Sequence, residues 1–302
     1  MSSFIGEGAF LAGMVSSARA SRSPSKATDR PLTGVSTVEE VNVSQRTSSW
    51  AFFLVVGLLS IPFWMMGAAG GRLPVPILLP ISALMAFTPA IAALALAYKE
   101  NGAGGAMRLL GRALDFSRIS GVRWYLAALL LMPLVFFLEY GVLRLSGALP
   151  PDPQVSFAEV PVFFAMFFFG AVGEELGWQG FAFARLRERR TALVASIILG
   201  SIWALWHVIP FVQTGRSVDW IIWQCLSTVA LRVVIVWLFV NAGKSVFIAV
   251  LVHTMYNLAW SLFPNHGSHY DPFVTFAILA LAAGAAVALW GPATFAKWRY
   301  GR

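Results

Sequence analysis

Residues 160–182 read VPVFFAMFFFGAVGEELGWQGFA, a run with no basic side chain and two adjacent carboxylates, Glu174 and Glu175. At about 1.5 Å of rise per residue this run makes a helix of about 35 Å, enough to cross a hydrocarbon core of about 30 Å. Gly170, Gly173, Gly177 and Gly180 fall within an arc of about 80°. Small residues on one face let neighbouring helices approach closely. Glu174 sits at the edge of that face, which predicts a carboxylate directed into a bundle and away from lipid.

The pattern repeats along the chain. Eight apolar segments follow Trp50, at about 50–70, 77–98, 124–144, 160–182, 193–213, 220–241, 246–263 and 273–290. Composition agrees: 58% of the 302 residues are hydrophobic and 12% charged, against about 25% charged in soluble domains. The predicted fold is all-α, a polytopic bundle of about eight transmembrane helices. Residues 1–49 differ, being rich in Ser, Thr and Arg. Their one apolar stretch, Phe4 to Val15, precedes the basic residues, the reverse of a secretory signal. They are expected to form a disordered cytoplasmic tail, with an organelle targeting peptide as the alternative. Residues 50–150 then carry the first three helices and residues 151–302 the remaining five. Cys225 is the single cysteine, so neither an intrachain disulfide nor a cysteine-cluster metal site is available.

The formal charge of +8 first suggests nucleic acid. The positions of the basic residues argue otherwise. With a cytoplasmic amino terminus, 18 of the 22 Lys and Arg fall on the inner side. Arg72, Arg144 and Arg216 lie outside, and Arg232 alone lies within a span. That asymmetry follows the positive-inside rule, so the charge reports orientation and no nucleic-acid partner is expected. Both termini are predicted to be cytoplasmic, in the plasma membrane if the source is bacterial.

Within the spans stand Glu139, Glu174, Glu175, Arg232, His207 and His253, with Asn257 on the same helical face as His253. Charges at mid-bilayer cost about 2.5–3.5 kcal/mol each, which makes such residues functional candidates. Counting rise from the inner boundaries puts Glu174, His207, His253 and Asn257 in one central layer. A carboxylate and an imidazole can activate a water and pass its proton to a leaving amine. A second imidazole and a carboxamide can donate to a tetrahedral oxyanion. Two His and a Glu could instead hold zinc, although the local motif His-Glu-x-x-His is absent. Glu139 and Arg232 read as structural. His266, His269 and Asp271 follow the seventh segment as solvated loop residues, with metal binding the less favoured reading. Trp178 and Trp206 could line the site.

Three segments, EELGWQGF (174–181), WALWH (203–207) and HTMYN (253–257), resemble the motifs of the CAAX-prenyl-protease and bacteriocin-processing (CPBP, or Abi) intramembrane proteases. The family patterns are Glu-Glu-x-x-x-Arg, Phe-x-x-x-His and His-x-x-x-Asn/Asp, in this order on separate transmembrane helices. The motif region covers about residues 155–265. Phe87-Thr-Pro89-Ala and Arg123-Trp-Tyr125 look like the flanking part of many bacterial members. The resemblance implies that Glu174 and His207 activate the water, that His253 and Asn257 form the oxyanion hole, and that Glu175 is the second motif glutamate. It leaves the metal open, since members have been described both as metalloproteases and as glutamate proteases. If a metal is bound, Glu174, His207 and His253 are its expected ligands. Two positions depart: Trp203 stands for the motif Phe, and Gln179 for the motif Arg. Glu175 therefore lacks its intrahelical cation and is expected to be protonated or paired with Arg232.

The sequence thus predicts an intramembrane endopeptidase that cleaves membrane-associated or prenylated proteins or peptides. A proton-coupled transporter and a non-catalytic immunity-type membrane protein are the alternatives. The lipid bilayer is an expected partner; oligomeric state is left open.

Overall fold

Nine helices emerge along the described part of the chain: α1 (Ser49–Ala68), α2 (Thr88–Leu110), α3 (Val122–Leu145), α4 (Val160–Gly177), α5 (Phe183–Arg187), α6 (Ala192–Gln213), α7 (Val218–Asn241), α8 (Val246–Leu262) and α9 (Pro272–Trp290). The computed structural model describes residues 47–73 and 79–296. Nearly all of the expected tail, and Lys297, Arg299 and Arg302, lie outside the described residues.

Side-chain oxygens start many of these helices. Ser48, Thr191, Ser217, Ser245 and Asp271 each accept from an otherwise unpaired amide of the first turn. Among the described residues, seven helical segments are long and apolar enough to cross a membrane, and α8 is a shorter apolar helix. The protein is an integral multi-pass helical membrane protein. The eight helices correspond to the eight expected apolar segments, with the largest changes of extent in the second, where Ile81–Phe87 is a 3-10 helix and α2 begins at Thr88. The helix expected to end near 98 turns at Asn101 and Gly102, where Gly102 takes φ 61°, and continues to Leu110.

The lipid-facing and inner helices separate by burial. On α1, Leu54, Leu58 and Met65 are exposed, as are Leu126, Leu130 and Phe137 on α3 and Leu281 on α9; a bilayer solvates such surfaces. The inner helices are α7 and α8. Leu231, Val234, Ile235 and Leu238 of α7 and Ile248, Val250 and Val252 of α8 form the core. At 17 residues α8 spans about 26 Å, short for a span but wrapped by α3, α4 and α7.

The glycine face of α4 sets the closest approach. A methyl on Gly173 would lie 2.6 Å from the Ala86 carbonyl oxygen, and one on Gly177 2.5 Å from that of Pro89. Helix α4 therefore packs backbone to backbone against the start of α2. Gly170 does not share this role, since nothing lies within 4 Å of its added methyl. A methyl on Gly200 of α6 would likewise lie 3.0 Å from the Arg232 Cβ on α7. Glu139 of α3 is buried and ties down α9, accepting from the Asp271 amide and the Thr275 hydroxyl, both at 2.6 Å.

Candidate active site

Helix α4 ends in a π-helical turn, Trp178–Ala182, that leads into α5. Such widened turns are rare and recur at functional sites. Here the turn begins three residues after Glu175.

Glu174 is buried and is held from two sides. The Trp203 indole Nε1–H of α6 donates to its Oε2 at 2.6 Å, and Trp178 donates to the same oxygen at 3.4 Å. Its Oε1 accepts nothing from the described residues. His207, one turn beyond Trp203, has Nδ1 at 2.9 Å from the Trp203 carbonyl oxygen. A carbonyl can only accept, so Nδ1 carries the proton and a neutral His207 presents a lone pair at Nε2. Its ring packs edge-on against Trp206, centroids 4.8 Å apart, and stacks on Phe211.

Glu175 faces the other way. It is fully buried, with Oε2 at 2.7 Å from an Arg232 guanidinium nitrogen and Oε1 at 3.0 Å from His253 Nδ1. Both oxygens are thus committed, and the carboxylate orients His253 from behind. Of the two expectations for Glu175, pairing with Arg232 is the one present. Gln179, which stands where the motif has Arg, does not bond Glu175; its two amide atoms are buried with no partner among the described residues. Gln179 lies inside the π-helical turn, whereas Glu175 lies in α4 before it.

Trp203 lies at the centre of these contacts. Its ring covers the Arg232 guanidinium at 4.1 Å and meets the rings of His253 and His207 at 5.1 and 5.7 Å. Glu174, Glu175, His207 and His253 therefore form one cluster around one indole. Asn257 lies one turn beyond His253 on α8, partly buried, and makes no hydrogen bond to the cluster. The Trp203 donor was not legible from the motif, where an aromatic replaces an aromatic; only the third dimension shows its N–H reaching Glu174.

The loop residues fall elsewhere. His266 bonds Glu159 at the surface, and Asp271 caps α9. His269 departs from the solvated reading: it is buried among Phe136, Tyr140 and Phe263. Among the described residues no three His, Cys, Asp or Glu side chains are grouped to hold a metal ion. The conditional zinc set is not drawn together to that degree, although its engaged atoms are Oε2 of Glu174 and Nδ1 of both histidines, which leaves Glu174 Oε1 and each Nε2 without a partner among the described residues.

A multi-pass helical fold with a buried Glu/His cluster defines the class, and the sequence comparisons narrow it. Residues 156–259 match the family described as type II CAAX prenyl endopeptidase Rce1-like. The matched stretch contains all three motifs and lies within the expected motif region. Over 108 residues the chain is 33% identical to CAAX prenyl protease 2 of Methanococcus maripaludis, covering 33% of this chain and 39% of that protein. The match thus spans well under half the length of that curated relative. The resemblance drawn from the motifs is a measurable sequence similarity.

Proposed function

We propose that the protein is an intramembrane endopeptidase of CAAX-protease type, acting on a membrane-associated or prenylated protein. The observation that carries this reading is the pairing of Glu174 and His207 around Trp203, inside the stretch that matches the CAAX endopeptidase family. Glu174 Oε1 and His207 Nε2, the atoms with no partner among the described residues, hold and deprotonate a water. The water attacks the scissile carbonyl, and the proton passes to the leaving amine. His253 donates from Nε2 to the oxyanion. With Nδ1 held by Glu175, the ring directs Nε2 to the oxyanion and donates from it when both nitrogens carry protons. Asn257 supplies the second donor once substrate is bound.

The distribution of Lys and Arg supports cytoplasmic termini, which puts the helix start at Ala192 and the loop at Lys244 on the side where a lipidated protein tail arrives. The test is cleavage of prenylated carboxy-terminal peptides by purified protein in lipid or detergent. Glu174→Ala and His207→Ala are each expected to lower kcat/KM by about a hundredfold or more. Cleavage unchanged in both variants would overturn the reading, and repeating the assay with chelator and with added zinc addresses the metal.

A further inference from the structure

Two bonds meet at Trp203, and only one of them depends on what that residue is. The carbonyl that accepts from His207 Nδ1 at 2.9 Å would be supplied by any residue at position 203. The N–H that reaches Glu174 Oε2 at 2.6 Å is specific to the indole. Phenylalanine there would keep the ring and the carbonyl but lose the donor.

From this geometry we infer that the Trp203 indole N–H is a positioning group for Glu174, fixing its Oε2 so that Oε1 is presented to the water beside His207. The inference rests on the endopeptidase reading and assigns one further residue to it. Three features of the site favour a positioning role over space-filling. The bond is short and charge-assisted, the kind that is strongest in a buried setting. The other donor to that oxygen, Trp178, is at 3.4 Å and belongs to the turn that follows Glu174 itself, so it moves with the carboxylate it would have to restrain. Trp203 comes from a different helix, and its ring is held in contact with the Arg232 guanidinium and the His253 ring. The residue is 3% exposed, so water does not compete for the N–H.

A carboxylate freed from this bond can rotate about its last torsion, and its two oxygens then share the productive position. Loss of orientation at a reacting group falls on turnover and leaves substrate binding unchanged. Trp203→Phe is therefore expected to lower kcat by about 10- to 100-fold while KM stays within about twofold. Because Phe also removes volume, the decisive variant places 3-benzothienylalanine at position 203. Its sulfur replaces the N–H in a ring of the same shape, so packing is kept and only the donor is lost. The same fall in kcat is expected.

A separate measurement follows the bond without turnover. The indole N–H resonance of Trp203, identified by its loss in Trp203→Phe, is expected to move when Glu174 is replaced by Gln. Wild-type kcat in the benzothienylalanine protein, a rise in KM without a fall in kcat, or an indole resonance indifferent to Glu174→Gln would each overturn the inference. A wild-type protein inactive on every lipidated and membrane peptide would instead overturn the endopeptidase reading, and the resonance would still decide whether the bond exists.

Discussion

Arg232 is a costly side chain to bury. It has no measurable exposure, pairs with Glu175 at 2.7 Å, and lays its guanidinium on the Trp203 ring. Two of its nitrogens find no acceptor among the described residues, so the indole face carries much of its compensation. Removing one partner of such a pair strands the other charge, at about 3–5 kcal/mol. Arg232→Ala is expected to cut the yield of folded protein sharply, with partial recovery in the Arg232→Ala, Glu175→Gln double variant. Folded yield by size exclusion in detergent decides it, and a double variant no better than the single would exclude the coupling. The same pair explains how the chain tolerates Gln179 in place of the motif arginine: the cation for Glu175 arrives from α7 and not from its own helix.

At the scale of the element, α4 carries both the carboxylates and the contact that holds them in place. Gly177 admits no side chain, because its methyl would enter the Pro89 backbone at 2.5–2.6 Å. Gly177→Ala is expected to push α4 from α2, lower the thermal midpoint and abolish cleavage, whereas Gly170→Ala should leave both unchanged. Equal effects in the two variants would refute the distinction. The glycine spacing announced a packed face, but it did not separate Gly170 from Gly173 and Gly177, because period alone does not show where the partner helix ends. The π-helical turn was invisible for a related reason. Residues 178–182 are compatible with an ordinary helix, and the widening comes from tertiary packing. Apolar run length, by contrast, located most of the helices closely, since it acts locally.

For the whole molecule, the separation of charge from the apolar bulk was legible because lipid penalises any other layout. Convergence of Glu174, His207 and His253 was legible from depth and motif order; the link through Trp203 was not, because it depends on two helices crossing. His269 shows the opposite failure. A histidine in a short loop suggests solvent, yet α3 and the loop itself enclose it in aromatic rings, and burial pushes its pKa down to about 4. The unfolded chain binds this proton near the ordinary value of about 6.5, so the folded state is disfavoured progressively as pH falls from there toward 4 and is unaffected above. Thermal midpoints measured between pH 7.5 and 4.5 should fall more steeply for wild type than for His269→Phe; parallel curves would count against it. The buried ion pair also imposes an order on biogenesis. Glu175 leaves the ribosome 57 residues before Arg232, so α4 enters the bilayer with an unneutralised carboxylate. It must wait at the insertion machinery, or take up a proton, until α7 is made. Stable placement of α4 as a charged helix is thus tied to the synthesis of α7.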